Sequence, residues 1–135
     1  MHVSMVPREH IEKIREVCVE HLRTLERYTL GRYTANDIID KCIDGEQNLL
    51  IAFDDDGEIH GCLTFSIIPY PRKTMLRIIS LAGNDLKDWK DNMYSLVEKI
   101  GKGENCAGQE WLGRAGWVKM FPDMTPTAVF MEKEY

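Results

Sequence analysis

Apolar residues recur at helical spacing early in the chain. Ile11, Ile14, Val17, Cys18, Leu22 and Leu25 share one face, while Glu12, Lys13, Glu16, Arg23 and Glu26 occupy the others. This predicts an amphipathic helix opening at Pro7, whose missing N–H would be unpaired in a first turn anyway, and ending near Arg27 before Gly31. Thr34 starts a second helix: Asp37 supplies a capping box, Tyr33 and Ile38 a hydrophobic staple, and Ile38, Ile39, Cys42 and Ile43 the buried side. Gly45 stops it.

The period then changes to that of strands. Leu49 to Phe53 is a short apolar run, Asp54-Asp55-Asp56-Gly57 reads as a hairpin loop, and the return strand covers about Glu58 to Ile68. In that strand Leu63, Phe65 and Ile67 alternate with Cys62, Thr64 and Ser66, and Pro69 and Pro71 end it. Met75 to Ala82 is apolar on both faces, as a central strand covered on each side should be. Gly83-Asn84-Asp85 leads into a helix with Leu86, Trp89, Met93, Leu96, Val97 and Ile100 inward, closed by Gly101 and Gly103. A strand at Gln109–Leu112, a helical turn at Ala115–Phe121 and a last strand at Thr127–Met131 complete the pattern. The order predicts an α/β (α+β) domain spanning residues 1–135, with a mixed, mostly antiparallel sheet carrying helices on both faces and parallel pairing after residue 80.

Composition narrows the class. At 135 residues, 44% hydrophobic and 29% charged, the chain can bury a core without a metal or disulfide. A net charge of −5 argues against sequence-independent nucleic-acid binding, which needs a basic face. No apolar run approaches a membrane span and no leader pattern opens the chain, so a cytoplasmic protein without a membrane partner is expected. Cys18, Cys42, Cys62 and Cys106 lack metal-ligand spacing and read as reduced, mostly buried thiols.

Candidate chemistry is sparse. Asp54, Asp56 and Glu58 around Gly57 do not fit a calcium loop, because the register puts Ala52 and Leu63 at essential ligand positions. His10 and His21 stand about 16 Å apart along a helix and share no metal within it; His2 and His60 show no partner in the sequence. No metal site is therefore expected. Gly113-Arg114-Ala115-Gly116-Trp117 is the most distinctive segment. Its glycines suit a tight strand-to-helix transition with Trp117 in the core, while on a functional reading Arg114 and Trp117 are candidate contacts for a ligand or partner, Arg114 holding a phosphate, a carboxylate or a partner's acidic group. Tyr70-Pro71-Arg72-Lys73 forms a basic loop tip on an acidic protein.

The element order, the Leu81-Ala82-Gly83 strand end with Asp88-Trp89, the Gly113–Trp117 segment and the closing Thr127-Ala128-Val129-Phe130-Met131-Glu132-Lys133 resemble the GNAT N-acetyltransferase fold along nearly the whole chain. The likeness is more particularly to a divergent GNAT-like group of tailed bacteriophages. The resemblance implies that the strand Met75–Ala82 splays from its neighbour and that its edge pairs with the pantetheine arm of acetyl-CoA. The loop that follows would hold the pyrophosphate on backbone amides at a helix N-terminus, making Leu81, Ala82, Gly83 and Asn84 the positions matched to the cofactor.

Two departures from the family pattern stand in these residues. The family loop reads Gln/Arg-x-x-Gly-x-Gly/Ala, whereas Gly83-Asn84-Asp85-Leu86-Lys87-Asp88-Trp89 keeps one glycine and brings two aspartates whose charge opposes a bound pyrophosphate. The tyrosine that protonates the leaving thiolate in many relatives is missing from Ala115–Pro122; Tyr94 reads as packing, and Glu110 is the candidate general base. The first expectation is therefore a catalytically silent GNAT-like module that binds a virion or host protein and resides in a host cytoplasm or a virion. The second is an N-acetyltransferase that moves an acetyl group from acetyl-CoA to a small-molecule or protein amine.

Overall fold

The computed structural model describes residues 1–113 and 116–135. Its centre is a five-stranded sheet in the order β1 (His2–Met5), β2 (Asn48–Phe53), β3 (Ile59–Pro69), β4 (Thr74–Gly83) and β5 (Gly108–Trp111). The first four strands pair antiparallel, and β5 runs parallel to β4. The expected α+β class and mixed sheet are present, with the parallel pair formed by the crossover through α3 (Leu86–Gly103). The remaining helices are α1 (Arg15–Leu22), α2 (Ala35–Asp44) and α4 (Gly116–Met120).

Two cores sit on opposite faces of the sheet. On one, α1 and α2 bury Cys18, Leu22, Ile38, Ile39 and Cys42 against Leu49, Cys62 and Ala82. On the other, α3 buries Trp89, Met93 and Val97 against Leu63, Phe65, Leu76, Ile78 and Leu81. The anticipated alternation in β3 is what separates them: Leu63 and Phe65 face α3, and Cys62 faces α1 and α2. Burial pushes the Cys42 thiol up to about 12, and a hydrogen bond with Cys18 together with burial raises the Cys62 thiol, which leaves both protonated and unreactive.

Local signals account for most boundaries. The Thr34 side chain accepts from the Asp37 N–H at 3.2 Å, and the Asp37 carboxylate accepts from the Thr34 N–H at 2.8 Å, completing the capping box. Gly45 ends α2 with φ of 87°. Three elements depart from the sequence reading. Strand β1 is additional. The first helix is α-helical only over Arg15–Leu22, where Cys18, Val19 and Leu22 meet the core; Arg8–Ile14 and Arg23–Tyr28 tighten into 3-10 turns. The expected strand at Thr127–Met131 does not form. Alternation alone cannot hold a strand without a buried face, and Val129 and Met131 are 85% and 87% exposed. Among the described residues no helix is long and apolar enough to cross a membrane.

Two β-bulges set the phase of the sheet. Ala52 pairs with Gly61 and Phe53 with Ile59, so His60 is the extra residue in β3. Phe65 pairs with Ile78 and Thr64 with Ser80, so Ile79 is the extra residue in β4. Upstream of Ile79 the even positions Leu76 and Ile78 face α3; downstream Leu81 does, while Ser80 bonds Thr64 on the other side.

The end of β4 meets β3 with no room for a side chain. Gly83 has φ of 146°, and a Cβ there would collide with the His60 carbonyl oxygen; a Cβ on Gly61 would collide with the Trp89 ring. Gly83→Ala therefore adds backbone strain to a steric clash and should lower unfolding free energy by about 2–4 kcal/mol. Urea denaturation measures this, and a loss under about 0.5 kcal/mol would show that the contact is not tight.

Candidate functional site

Strand β4 pairs with β5 over only four positions, Met75 to Ile78 against Gly108 to Trp111. It continues to Gly83 along β3, so from the Ile79 bulge onward its other edge has no strand beside it among the described residues. Strand β5 ends at Trp111, opposite Ile78, and beyond it the edge of β4 lines a cavity of about 360 Å³. The strand side supplies Ile78–Leu81 together with Trp111, Leu112 and Gly113. The connection between α1 and α2 supplies the opposite wall, including Arg27, Tyr28, Thr29, Leu30, Arg32 and Tyr33. Leu30 holds φ of 58°, unusual for a leucine, and remains 55% exposed at this wall.

The polar complement of the cavity is concentrated on that connection. Arg27 stacks on the Tyr28 ring at 4.8 Å from its centroid. Arg32 pairs with Glu132 at 2.9 Å and lies over the Phe130 ring at 5.0 Å, which carries the C-terminal segment across the cavity. The buried Thr29 hydroxyl donates to backbone carbonyls of the same connection, those of Glu26 and Tyr33 lying 3.0 Å away, and this fixes the loop's shape. Two arginines and two tyrosines thus face an otherwise apolar hollow of the size that takes small ligands. The sequence pattern assigned none of these four to a site.

The residues singled out in sequence distribute unevenly. Trp117 lines the cavity and packs on Trp111 and Phe121, with centroid distances of 6.2 and 5.7 Å. Leu81 also lines it. Arg114 lies outside the described residues. Glu110 does not line the cavity; its carboxylate accepts from the Tyr70 hydroxyl at 2.7 Å and faces Arg77 at 3.4 Å. Tyr94 packs against Phe121, and Trp89 is buried on the α3 side. The opening is therefore filled by neither Trp89 nor Trp117.

Ala82, Gly83 and Asn84 sit at the start of α3 in a closed arrangement. The Asn84 N–H donates to the His60 carbonyl at 2.8 Å, and the Asn84 carbonyl accepts from the Trp89 indole at 2.8 Å. Asp85, at the N-cap of the helix, adopts φ of 53° and its side chain makes no capping bond. Its carboxylate turns instead to His60 Nδ1, 3.2 Å away and beside the Asn84 side chain, while His60 Nε2 meets Asp54 at 2.8 Å. His60 thus has partners on both ring nitrogens, and His2 likewise meets Asp55 at 2.7 Å, contrary to the reading of both as unpartnered. Asp54, Glu58 and His60 bring one ligand atom each within 4.8 Å of one another. Asp54 is already committed, accepting from the backbone N–H groups of Asp56 and Glu58.

This closure bears directly on pyrophosphate. Its seat in the GNAT pattern needs free amides and net positive potential at the helix start. Here the Asn84 amide is taken, Gly83 is wedged against β3, and Asp85 and Asp88 add negative charge. The free β4 edge and its cavity fit the acyl and pantetheine portion of acetyl-CoA; the α3 start does not fit its diphosphate.

No protein-family model matches the chain, and no curated protein matches it in sequence. Solved structures match its fold. Glucosamine-6-phosphate N-acetyltransferase from Arabidopsis thaliana superposes with a TM-score of 0.72 at 12% identity, covering 99% of this chain and 97% of that one. An aminoglycoside acetyltransferase from an uncultured soil metagenomic sample gives 0.71 at 12%, covering 99% and 96%. Ribosomal-protein-alanine N-acetyltransferase from Brucella melitensis biovar Abortus 2308 gives 0.68 at 10%, covering 100% and 99%. The chain has the fold of the GNAT N-acetyltransferases.

The His60 cluster has a defined pH response. The hydrogen bond to Asp54, with help from Asn84 and Asp85, raises the imidazole pKa; the bond from His60, with backbone N–H groups, lowers that of Asp54. The His60 contribution is complete below the ordinary imidazole value, about 6.5, and is lost as pH rises through the raised one. The Asp54 contribution is complete above the ordinary carboxylate value, about 3.9, and is lost as pH falls through the lowered one. The difference in Tm between the native chain and His60→Gln should therefore be widest between about pH 4 and 6.5 and should narrow above it. A difference that stays constant from pH 5 to 9 would show that His60 is not held as an imidazolium.

Proposed function

We propose that the chain is an N-acyltransferase that takes its acyl group from a thioester laid along the free edge of β4. The observation that carries this reading is the unpaired edge of β4 beyond the Ile79 bulge, where β5 has ended and a cavity reaches the α1–α2 connection. A strand edge without a neighbour offers backbone groups that pair an extended amide-bearing arm and polarise a carbonyl next to it. An acceptor amine entering from the α1–α2 side forms the new C–N bond as the C–S bond breaks. The thiolate then receives a proton, and the amine nitrogen releases one. Tyr28 and Tyr33 are the phenol-bearing side chains of the wall and the candidates for that proton transfer, in place of the tyrosine missing from α4.

The closed α3 start limits the donor. The thioester arm is accommodated, and the α3 start contributes no diphosphate seat, so recognition rests on the arm. Acetyl-CoA and S-acetyl-pantetheine, which lacks the nucleotide and diphosphate, should therefore bind within about tenfold of each other by calorimetry. A preference above 100-fold for acetyl-CoA would sink the closed-start reading, and failure of both to bind would sink acyl transfer. If transfer operates, Tyr28→Phe with Tyr33→Phe should lower kcat by about 100-fold or more while leaving thioester affinity unchanged. Turnover unaffected by the double change would remove the tyrosines from the mechanism.

The second reading is a catalytically silent module of a tailed bacteriophage, acting in the virion or on a host protein. The closed α3 start favours it, because Asp85 and His60 satisfy one another where an anion would otherwise be held. Pull-down from host extract, combined with loss of thioester binding, distinguishes it from the first.

A further inference from the structure

The chain's own C-terminal segment indicates what the cavity recognises. Phe130 contributes its ring to the cavity lining, and two residues on, Glu132 places a carboxylate on Arg32. The Arg32 guanidinium also covers the Phe130 ring, so one arginine holds an aromatic group and a carboxylate together. The segment carrying them has no regular structure, and its remaining apolar side chains, Val129 and Met131, project into solvent. The ion pair is itself weakly held, with Arg32 and Glu132 side chains 44% and 29% exposed.

Beside this pair stands a second cation. Arg27 lines the same cavity, stacks on Tyr28, and has no carboxylate partner among the described residues. Apart from Thr29, Ser80 and the tyrosines, the rest of the hollow is mostly aromatic and aliphatic, with Leu25, Ile38, Ile78, Trp111 and Trp117 in its lining. A ligand complementary to these walls has an apolar, ring-sized body and an anionic end directed toward Arg27 and Arg32.

We propose that the acyl acceptor is an aromatic amine bearing a carboxylate, of the aromatic amino-acid type, and that Phe130 and Glu132 occupy its place until it binds. Its carboxylate takes Arg32 from Glu132 and gains Arg27, its ring replaces Phe130 beneath Arg32, and its amine points to the β4 edge. The role of the amine rests on the transfer reading above; the recognition of ring and carboxylate does not.

Three probes separate these elements in the full chain: L-phenylalanine, L-phenylalaninamide without the carboxylate, and 3-phenylpropionate without the amine. Binding is followed by calorimetry and by the fluorescence of Trp111 and Trp117. The two carboxylates should bind at least tenfold more tightly than the amide. Arg27→Gln and Arg32→Gln should each remove about tenfold of that preference, and Glu132→Gln should strengthen carboxylate binding several-fold by removing the internal competitor. Equal binding of acid and amide, or weaker carboxylate binding in Glu132→Gln, would overturn the proposal. Acetylation of phenylalaninamide as fast as phenylalanine would also overturn it and leave acyl transfer standing. Tight carboxylate binding with no acetylated product would instead support the site and overturn acyl transfer.

Discussion

The seating of Trp89 on Gly61 is the contact from which the rest of the arrangement follows. The indole lies where a Cβ of Gly61 would be, and its N–H holds the Asn84 carbonyl. That fixes the start of α3 with only Asn84 and Asp85 between it and the end of β4, and brings Gly83 hard against the His60 carbonyl. The bulged His60 is thereby aimed into the space between the hairpin and the helix, where Asp54 and Asp85 receive it. A buried aromatic of this size contributes strongly to core stability, and here it also closes one end of the sheet. The opening is left to the other side, between β4 and β5.

The two ends of the potential ligand path consequently differ in character. The α3 start is compact and acidic, with Asp54 and Asp85 bonded to His60 and Asp88 adding further negative charge. The cleft is apolar, with cations at its rim and a carboxylate drawn from a distant part of the chain. A scaffold of this type separates the grip on a thioester arm from the grip on a diphosphate, and the two can vary independently. Fold likeness at 10–12% identity fixes the backbone path and carries no chemistry with it.

Much of this was legible in the residues, and the parts that were not share a cause. The capping box at Thr34, the Asp54–Gly57 turn, the alternation of β3 and the stripe of α3 are local patterns, and each appears where the pattern put it. Strand β1 is four residues of mixed character and borrows its identity from β2. The bulges at His60 and Ile79 are properties of a pairing, so neither strand alone encodes them. The Thr127–Met131 stretch carries strand-like alternation, yet its role is set by Arg32, nearly a hundred positions earlier. The cavity wall was missed for the same reason: Arg27, Tyr28, Arg32 and Tyr33 lie in a connection whose importance comes from what it faces. The loss of the glycine loop, by contrast, was visible directly, and the closed α3 start gives its physical form.

The Ile79 bulge has a consequence for how this strand tolerates change in length. One extra residue shifts the parity of everything after it, so β4 is two half-strands joined out of phase. Removing Ile79 would bring the halves into one phase, with Ser80 and Leu81 keeping their present faces, and would abolish the bulge beyond which β4 has left β5. The same loss in the Asp54–Gly57 turn would alter only a solvated connection. Insertions and deletions, more than substitutions, are therefore the changes to which the open end of the sheet is sensitive: its integrity is encoded in a count of residues.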